Sequence, residues 1–348
     1  MVGLTLGLIT TLAITQIMVN FQSQRRTTTS AMDAQVNDML AMATLRQSIE
    51  MAGYGFASES SVLNCPLDAR FQGAAVAGWP ATLVPLVIAN GADGAPDTVR
   101  VIGSSKATFS IPIRISAPYD PLVDQSFAVA SVRGVEADDL MVAVSDPSVS
   151  CEIFQVSADP GTQSRVEHAD GNWNSSGFPS HIYADGNFLV NLGRLSDVTF
   201  SIGANGTLQS RMFTLSDASE PSYLGPIDLY SHIVNLQAYY GKDANGDGAV
   251  DTWDTHAPAS SADWRTVLAV RVAIVSRSGS YEKEIVTRAN PVWDVGGSAT
   301  VDDSSATVAA CGSSQCVTLR IDHLPDWQHY RYKVLDSVIP LRNLIWKS

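Results

Sequence analysis

The sequence predicts an α+β fold: one long N-terminal helix, then a large antiparallel β-sheet region with loop insertions. Three observations predict it. No proline occurs in the first 52 residues, and no glycine between Leu8 and Ala52. Apolar positions in that stretch keep helical spacing. From Asp97 onward, short alternating apolar segments recur between turn residues, with no second long helical period.

The helix has two halves. From Met1 to Phe21 the chain carries no charge and no proline, which is long enough for a helix to cross a bilayer core of roughly 30 Å. The apolar run stops at Arg25 and Arg26, but the helical signal continues. Met32, Val36, Met39, Leu40, Ala43 and Ile49 recur at helical intervals, with Asp33, Asp38, Arg46 and Glu50 between them. Gly53-Tyr54-Gly55 then supplies a stop. At about 1.5 Å per residue the rod is on the order of 75 Å long. A signal peptide has a shorter apolar core, of about 7–15 residues, and does not continue as helix. The expected organisation is therefore residues 1–24 as a membrane or filament-core helix, 25–52 as its amphipathic continuation, and 53–348 as an exported β-rich domain. The stripe Val36, Leu40, Ala43 is expected to lie on that domain.

A formal charge of −13, from 22 Lys+Arg against 35 Asp+Glu, excludes a phosphate-neutralising nucleic-acid surface. The four cysteines stand at 65, 151, 311 and 316, with no Cys-x-x-Cys pair and no adjacent histidine, so disulfides are expected rather than zinc. Three pairings are possible. The short interval Cys311–Cys316 favours a local loop, leaving Cys65 with Cys151. Disulfide-style usage places the domain outside the cytoplasm, although Arg25 and Arg26 alone would favour the opposite orientation.

Residues 56–96 read as loop-rich, with turn signals at Gly78-Trp79-Pro80 and Asn90–Gly94. Strand-like segments follow at 97–102, 108–115, 139–144, 152–156, 188–192 and 197–202. Asn205-Gly206 marks a hairpin turn into 207–213. Later strands are expected at 233–240, 267–275, 316–321 and 331–335, and the Ser/Asp/Gly-rich stretch 296–314 is expected to be an exposed loop.

These segments carry a resemblance. The rod that starts apolar and turns amphipathic resembles the N-terminal helix of type IV pilins. Met51-Ala-Gly-Tyr-Gly55 resembles the helix end of the PilW family of minor pilins. So do the acidic loop Tyr240–Asp251, the strand Trp264–Ala273, and the closing stretches Tyr330–Val334 and Ile339–Asn343. The resemblance implies a type IV pilin-like fold and a low-abundance structural subunit, not an enzyme. It further implies that the subunit helps prime filament assembly at or near the tip, supporting adhesion or motility. The implied partners are other minor and major pilins through the N-terminal helix, a large tip adhesin, and the inner membrane before assembly. The implied location is the inner membrane with a periplasmic domain, then the extracellular pilus. Pilins begin with a basic leader, a Gly/Phe cleavage site and an early Glu, whereas this chain opens at Met1-Val2-Gly3. A late start codon or a truncated piece is expected. Two other readings stand beside this one: a membrane-anchored calcium-dependent adhesion module, and a minor pseudopilin of a type II secretion system.

One motif carries metal chemistry. In Asp243-Ala-Asn-Gly-Asp-Gly-Ala-Val-Asp-Thr-Trp-Asp254, oxygen ligands stand at Asp243, Asn245, Asp247, Asp251 and Asp254. Gly248 occupies the sharp turn, and the Ala249 carbonyl falls at the seventh position. This is the Ca²⁺-loop spacing of an EF-hand, with Asp in place of the closing Glu and with strands for flanks. Its alternative is an acidic turn. No Gly-x-Ser-x-Gly, phosphate-binding loop or His-Glu-x-x-His occurs, so no catalytic residue and no organic cofactor are assigned. The six histidines are scattered. Asp138-Asp139 and Asp302-Asp303 read as solvated loop charges, and Trp173, Trp253, Trp264, Trp293 and Trp327 as core or loop anchors. Gly3 and Gly7 form a Gly-x-x-x-Gly pair that would allow close helix approach.

Overall fold

Helix α1 runs Val2–Glu50 in the computed structural model of the chain. The structure describes residues 2–345 except 108–109, 146–148, 176–177 and 217–219; in α1, the side chains of residues 2, 4–6, 9 and 19–34 also lie outside the description. Half of the expected membrane segment, 1–24, falls on those positions. Among the described residues no helix is long and apolar enough to cross a membrane. α1 ends where Gly53 and Gly55 take φ of +73° and +93°, a region that disfavours side chains. A Cβ on Gly53 would collide with that of Ala57.

The docked face of α1 is not the expected one. Val36, Met39 and Leu40 are 56%, 54% and 48% exposed, and Ala43 is exposed with them. Ala41, Met42, Leu45 and Ile49 are the buried set, with Asp38 among them. The helix carries two apolar stripes on opposite sides, and sheet contact selects the one containing Asp38. Burial pushes the Asp38 carboxyl up, countered by its bond from Ser276 Oγ (2.7 Å) and by Lys333.

Beyond α1 the architecture is mostly β-sheet with few helices. A central sheet, in spatial order Thr300–Asp302, Thr252–Asp254, Ile233–Lys242, Val267–Arg277 and Tyr332–Pro340, has one parallel pair at its first edge; its other neighbours are antiparallel. A second, antiparallel sheet runs Pro221–Ser231, Thr207–Leu215, Ser196–Gly203, Thr98–Gly103, Leu86–Ala89. A third is built around Cys65–Asp68, Cys151–Gln155, Leu140–Val144 and Phe188–Gly193.

The strand Ile233–Lys242 is buried from Ile233 to Gly241. Leu236, Ala238 and Tyr240 join the main core with α1. Val234 and Tyr239 face a separate core with Trp293 and Val317. A bulge between Ile233 and Asn235 sets this alternation. Asp97 ties the second sheet to this strand: its N–H donates to Leu236 O, and its carboxylate accepts the N–H groups of Gly91 and Ala238, each at 2.8 Å. Burial pushes the Asp97 pKa up to about 7.

Several expectations need correcting. The stretch 296–314 contains the strands Thr300–Asp302 and Val308–Cys311. Residues 56–96 contain Cys65–Asp68 and Leu86–Ala89. Pro221–Ser231, as long as any strand here, was not expected, because Pro221, Gly225 and Pro226 read as breakers; as an edge strand it tolerates them. The Asn205-Gly206 hairpin is present, with Gly206 at φ +67°.

Residues between the second-sheet strands Thr98–Gly103 and Ser196–Gly203 form an inserted lobe with its own core, in which Tyr119, Phe127 and Phe154 surround His168 at 5.3–5.7 Å between ring centroids.

Leu45→Ala removes a fully buried side chain and should destabilise the fold by about 2–5 kcal/mol in chemical denaturation, whereas Val36→Asp on the exposed stripe should shift it by no more than about 0.5 kcal/mol. Equal effects would reverse the assignment of faces. His168 gives a second prediction. Burial holds its pKa below the usual histidine value, with Asp124 and Asp170 opposing. The unfolded chain therefore takes up the proton first as pH falls through about 6.5, and stability declines from there downward. His168→Phe should flatten the loss of melting temperature between neutral pH and about pH 5.5; an unchanged slope would remove His168 as its source.

Candidate functional site

The acidic loop leaves the central strand at Lys242 and returns at Thr252, opposite it in the ladder. Two bonds pin its base: Asp243 N–H to Thr266 O and Asp251 N–H to Lys242 O, both 2.8 Å. Asp243 is only 7% exposed. Its two carboxylate oxygens accept the N–H groups of Gly246 (2.6 Å) and Gly248 (2.8 Å). These bonds, Gly248's foremost, hold its pKa below the usual carboxylate range. Gly246 and Gly248 sit at φ of +79° and +86°, so the sequence's Gly-Asp-Gly is what lets the amides turn inward.

Four expected ligands lie in the turn, and three of them, Asn245, Asp247 and Asp251, bond to one another, while Asp243 bonds only backbone amides. Asn245 Oδ1 accepts from Asp247 N–H, and Asp247 Oδ1 from Ala249 N–H, both at 2.8 Å. Asp251 Oδ2 accepts from the N–H groups of Ala244 and Asn245. The Asn245 amide donates to Asp247 Oδ2 and Asp251 Oδ1, each at 3.2 Å. Ala249 is drawn in through its N–H. Asp254 is the exception. It lies in the strand opposite Tyr240, with its Oδ1 held by Lys242 Nζ (2.7 Å) and by His256 N–H (2.8 Å). The twelfth-position carboxylate is thus engaged by a lysine below the loop. The flanks are strands, as expected. Beside the loop, Asp243, Asn245 and Gly246 share a cavity of about 450 Å³ with Arg265, Thr266 and Leu344.

Both disulfides pair as expected, Cys65–Cys151 and Cys311–Cys316. Asp294 lies beside the latter, but sulfurs bonded to each other offer no thiolate to a metal.

Sequence reasoning missed the buried acids. Glu152, fully buried, accepts from Ser180 N–H, Ser180 Oγ, His181 N–H and Tyr183 Oη, fastening the inserted lobe. Asp139 and Asp303 are not solvated: they are 7% and 8% exposed, bonded by Asn191 Nδ2 and Tyr239 Oη respectively. Only strand alternation through Glu152 hinted at burial, and nothing local named its donors. Trp173, Trp253, Trp264 and Trp293 are buried as anchors. Of the histidines, His181 lies 3.6 Å from Glu152, His256 near Asp254 and Asp302, and His329 stacks on Tyr281.

The family model described as PilW, Type IV Pilus-assembly protein W, matches residues 199–343. Among solved structures, a type IV-like pilin from Thermus thermophilus aligns at 10% identity and a TM-score of 0.34, covering 90% of this chain and 98% of that one. No curated protein matches. The matched stretch holds the acidic loop, the strand Val267–Arg277 and the closing strand Tyr332–Pro340; the resembling N-terminal rod and its end at Met51–Gly55 lie outside it. Over residues 199–343 the chain carries the pattern of the type IV pilus-assembly protein W family.

Proposed function

We propose that this chain is a minor pilin of a type IV pilus: a structural subunit, not an enzyme, anchored by residues 1–24 in the inner membrane before assembly and packed through α1 against other pilins in the filament. The family match over 199–343 supports the pilus assignment. The observation that carries the role is the outward stripe of α1. Val36, Met39 and Leu40 face away from the domain, and Leu8, Leu12, Ile14, Ile17 and Met18 are 56–68% exposed further along the same helix. Apolar surface of this extent on one rod is stable only when other chains or lipid cover it. Priming at the tip, adhesion and an adhesin partner extend this reading from the resemblance. Met39→Glu with Leu40→Glu should leave the domain's melting temperature within about 2 °C, since both positions are exposed, while abolishing surface piliation. Normal piliation by a correctly folded variant would overturn the reading.

We further propose that the acidic loop binds Ca²⁺ through Asp243, Asn245, Asp247 and Asp251 with the Ala249 carbonyl, while Asp254 stays with Lys242 unless the loop closes further. The calcium-loop spacing, with Asn245, Asp247 and Asp251 bonded to one another on one turn, supports this. Binding to the folded state alone stabilises it by roughly 2.7 kcal/mol at a hundredfold excess over Kd. Melting temperature should therefore rise in millimolar calcium over EGTA, and Asp243→Ala with Asp247→Ala should cancel that rise. Identical melting in both media would make the loop an acidic turn.

A further inference from the structure

Two segments meet where α1 leaves the domain. α1 and the strand Tyr332–Pro340 run the same way: Glu50 lies 3.4 Å from Arg342 past the strand's far end. Asp38 bonds Ser276 Oγ, which in turn reaches Lys333 O near its beginning. Chain preceding Tyr332 therefore lies on the side toward which α1 continues to its N-terminus. Gln35 and Asp38 share a notch there with Ser278, Arg331 and Lys333.

That end is a built lobe. Residues 278–288 and 327–331 are cross-bonded through Ser278 N–H to Arg331 O, Glu282 N–H to His329 O, and Val286 and Thr287 N–H to Gln328 O. Arg331 pairs with Glu282 at 2.6 Å. Arg277 sits 4.5 Å over the Tyr330 ring, and Tyr281, 55% exposed, stacks on His329. Across 277–288 and 327–333 the charged residues are Arg277, Lys283, Arg288, Arg331 and Lys333 against Glu282 and Glu284, in a chain whose net charge is −13. Lys283, Arg288, Arg331, Lys333 and Ile285 are exposed.

We propose that this lobe is a docking surface for anionic phospholipid headgroups, seating the domain on the membrane while α1 is anchored. The inference rests on the membrane-anchored reading of residues 1–24. Basic side chains beside an exposed tyrosine, here Tyr281, form the chemistry that settles at a charged lipid interface. From residue 24 to Gln35 the helix spans roughly 16 Å, of which the headgroup layer takes about 5–7 Å. The remainder is about three residues of extended chain, within the length of the segments that run past the notch.

The test uses the full chain in vesicles of phosphatidylcholine alone, and of about three parts phosphatidylcholine to one of phosphatidylglycerol. Flotation with the vesicles reads the anchor, and amide exchange of 278–288 and 327–333 reads the docking. Exchange should slow at least about fivefold on the anionic vesicles only, given roughly that factor per basic residue at the surface. The slowing should vanish near 1 M salt, where screening falls to about 3 Å, and in Lys283→Glu with Arg288→Glu, whose unchanged melting confirms folding. A chain that floats with both vesicles and exchanges alike in both overturns the docking and leaves the anchor standing. Equal slowing on both vesicles overturns it too, as apolar burial. A chain that floats with neither overturns the anchor and the docking together.

Discussion

One strand that is buried on both faces sets the rest of the architecture. Ile233–Lys242 occupies the middle of the central sheet with both faces buried, and such a strand is stable only between two covering layers. α1 and the second sheet cover one side, and the lobe around Trp293 and Val317 covers the other. The bulge at its start lets Asn235 and Gln237 share a face with Tyr239. Their amides donate to Gly94 O, Ala95 O and Arg320 O, fixing where the flanking chain passes. Asp97 supplies the same kind of tie from the second sheet. Because the Asn235 and Gln237 amides and the Asp97 carboxylate hold specific partners in the neighbouring layers, the layers meet in one arrangement rather than sliding.

This explains what was legible in the sequence and what was not. The strongly periodic strands and the helix-ending glycines were legible because local spacing alone determines them. The disulfides were legible because four cysteines leave few pairings. The docked face of α1 was not. Two apolar stripes compete on one helix, and an aspartate normally marks the solvent side; Asp38 is buried only because Ser276, far along the chain, meets it. Glu152 and its donors at Ser180–Tyr183 fail for the same reason, as did Asp139 and Asp303. The acidic loop's spacing was legible down to the inward turn of Gly246 and Gly248. Lys242 taking Asp254 was not, since strand register decides it.

The outward stripe and the acidic loop sit on different parts of the fold. α1 leaves past Ser276 and Lys333, whereas the loop lies beside Thr266 and Leu344, near the helix's other end. A subunit packed along α1 therefore keeps its loop at the far pole.

The Cys65–Cys151 crosslink has a mechanical consequence. A pull along α1 is met first by its docked turns from Asp38 to Ile49 and then at Gly53, whose amide is bonded to Ile102 O in the second sheet. The chain then reaches Cys65, where it is tied covalently to a strand of the third sheet, 86 residues further on. Tension is thus divided between two sheets almost at once. Drawing the helix out requires rows of backbone hydrogen bonds to shear together, because the covalent tie closes off peeling from the chain's start. The crosslink also keeps the residues between Cys65 and Cys151 out of any extension of a stretched subunit.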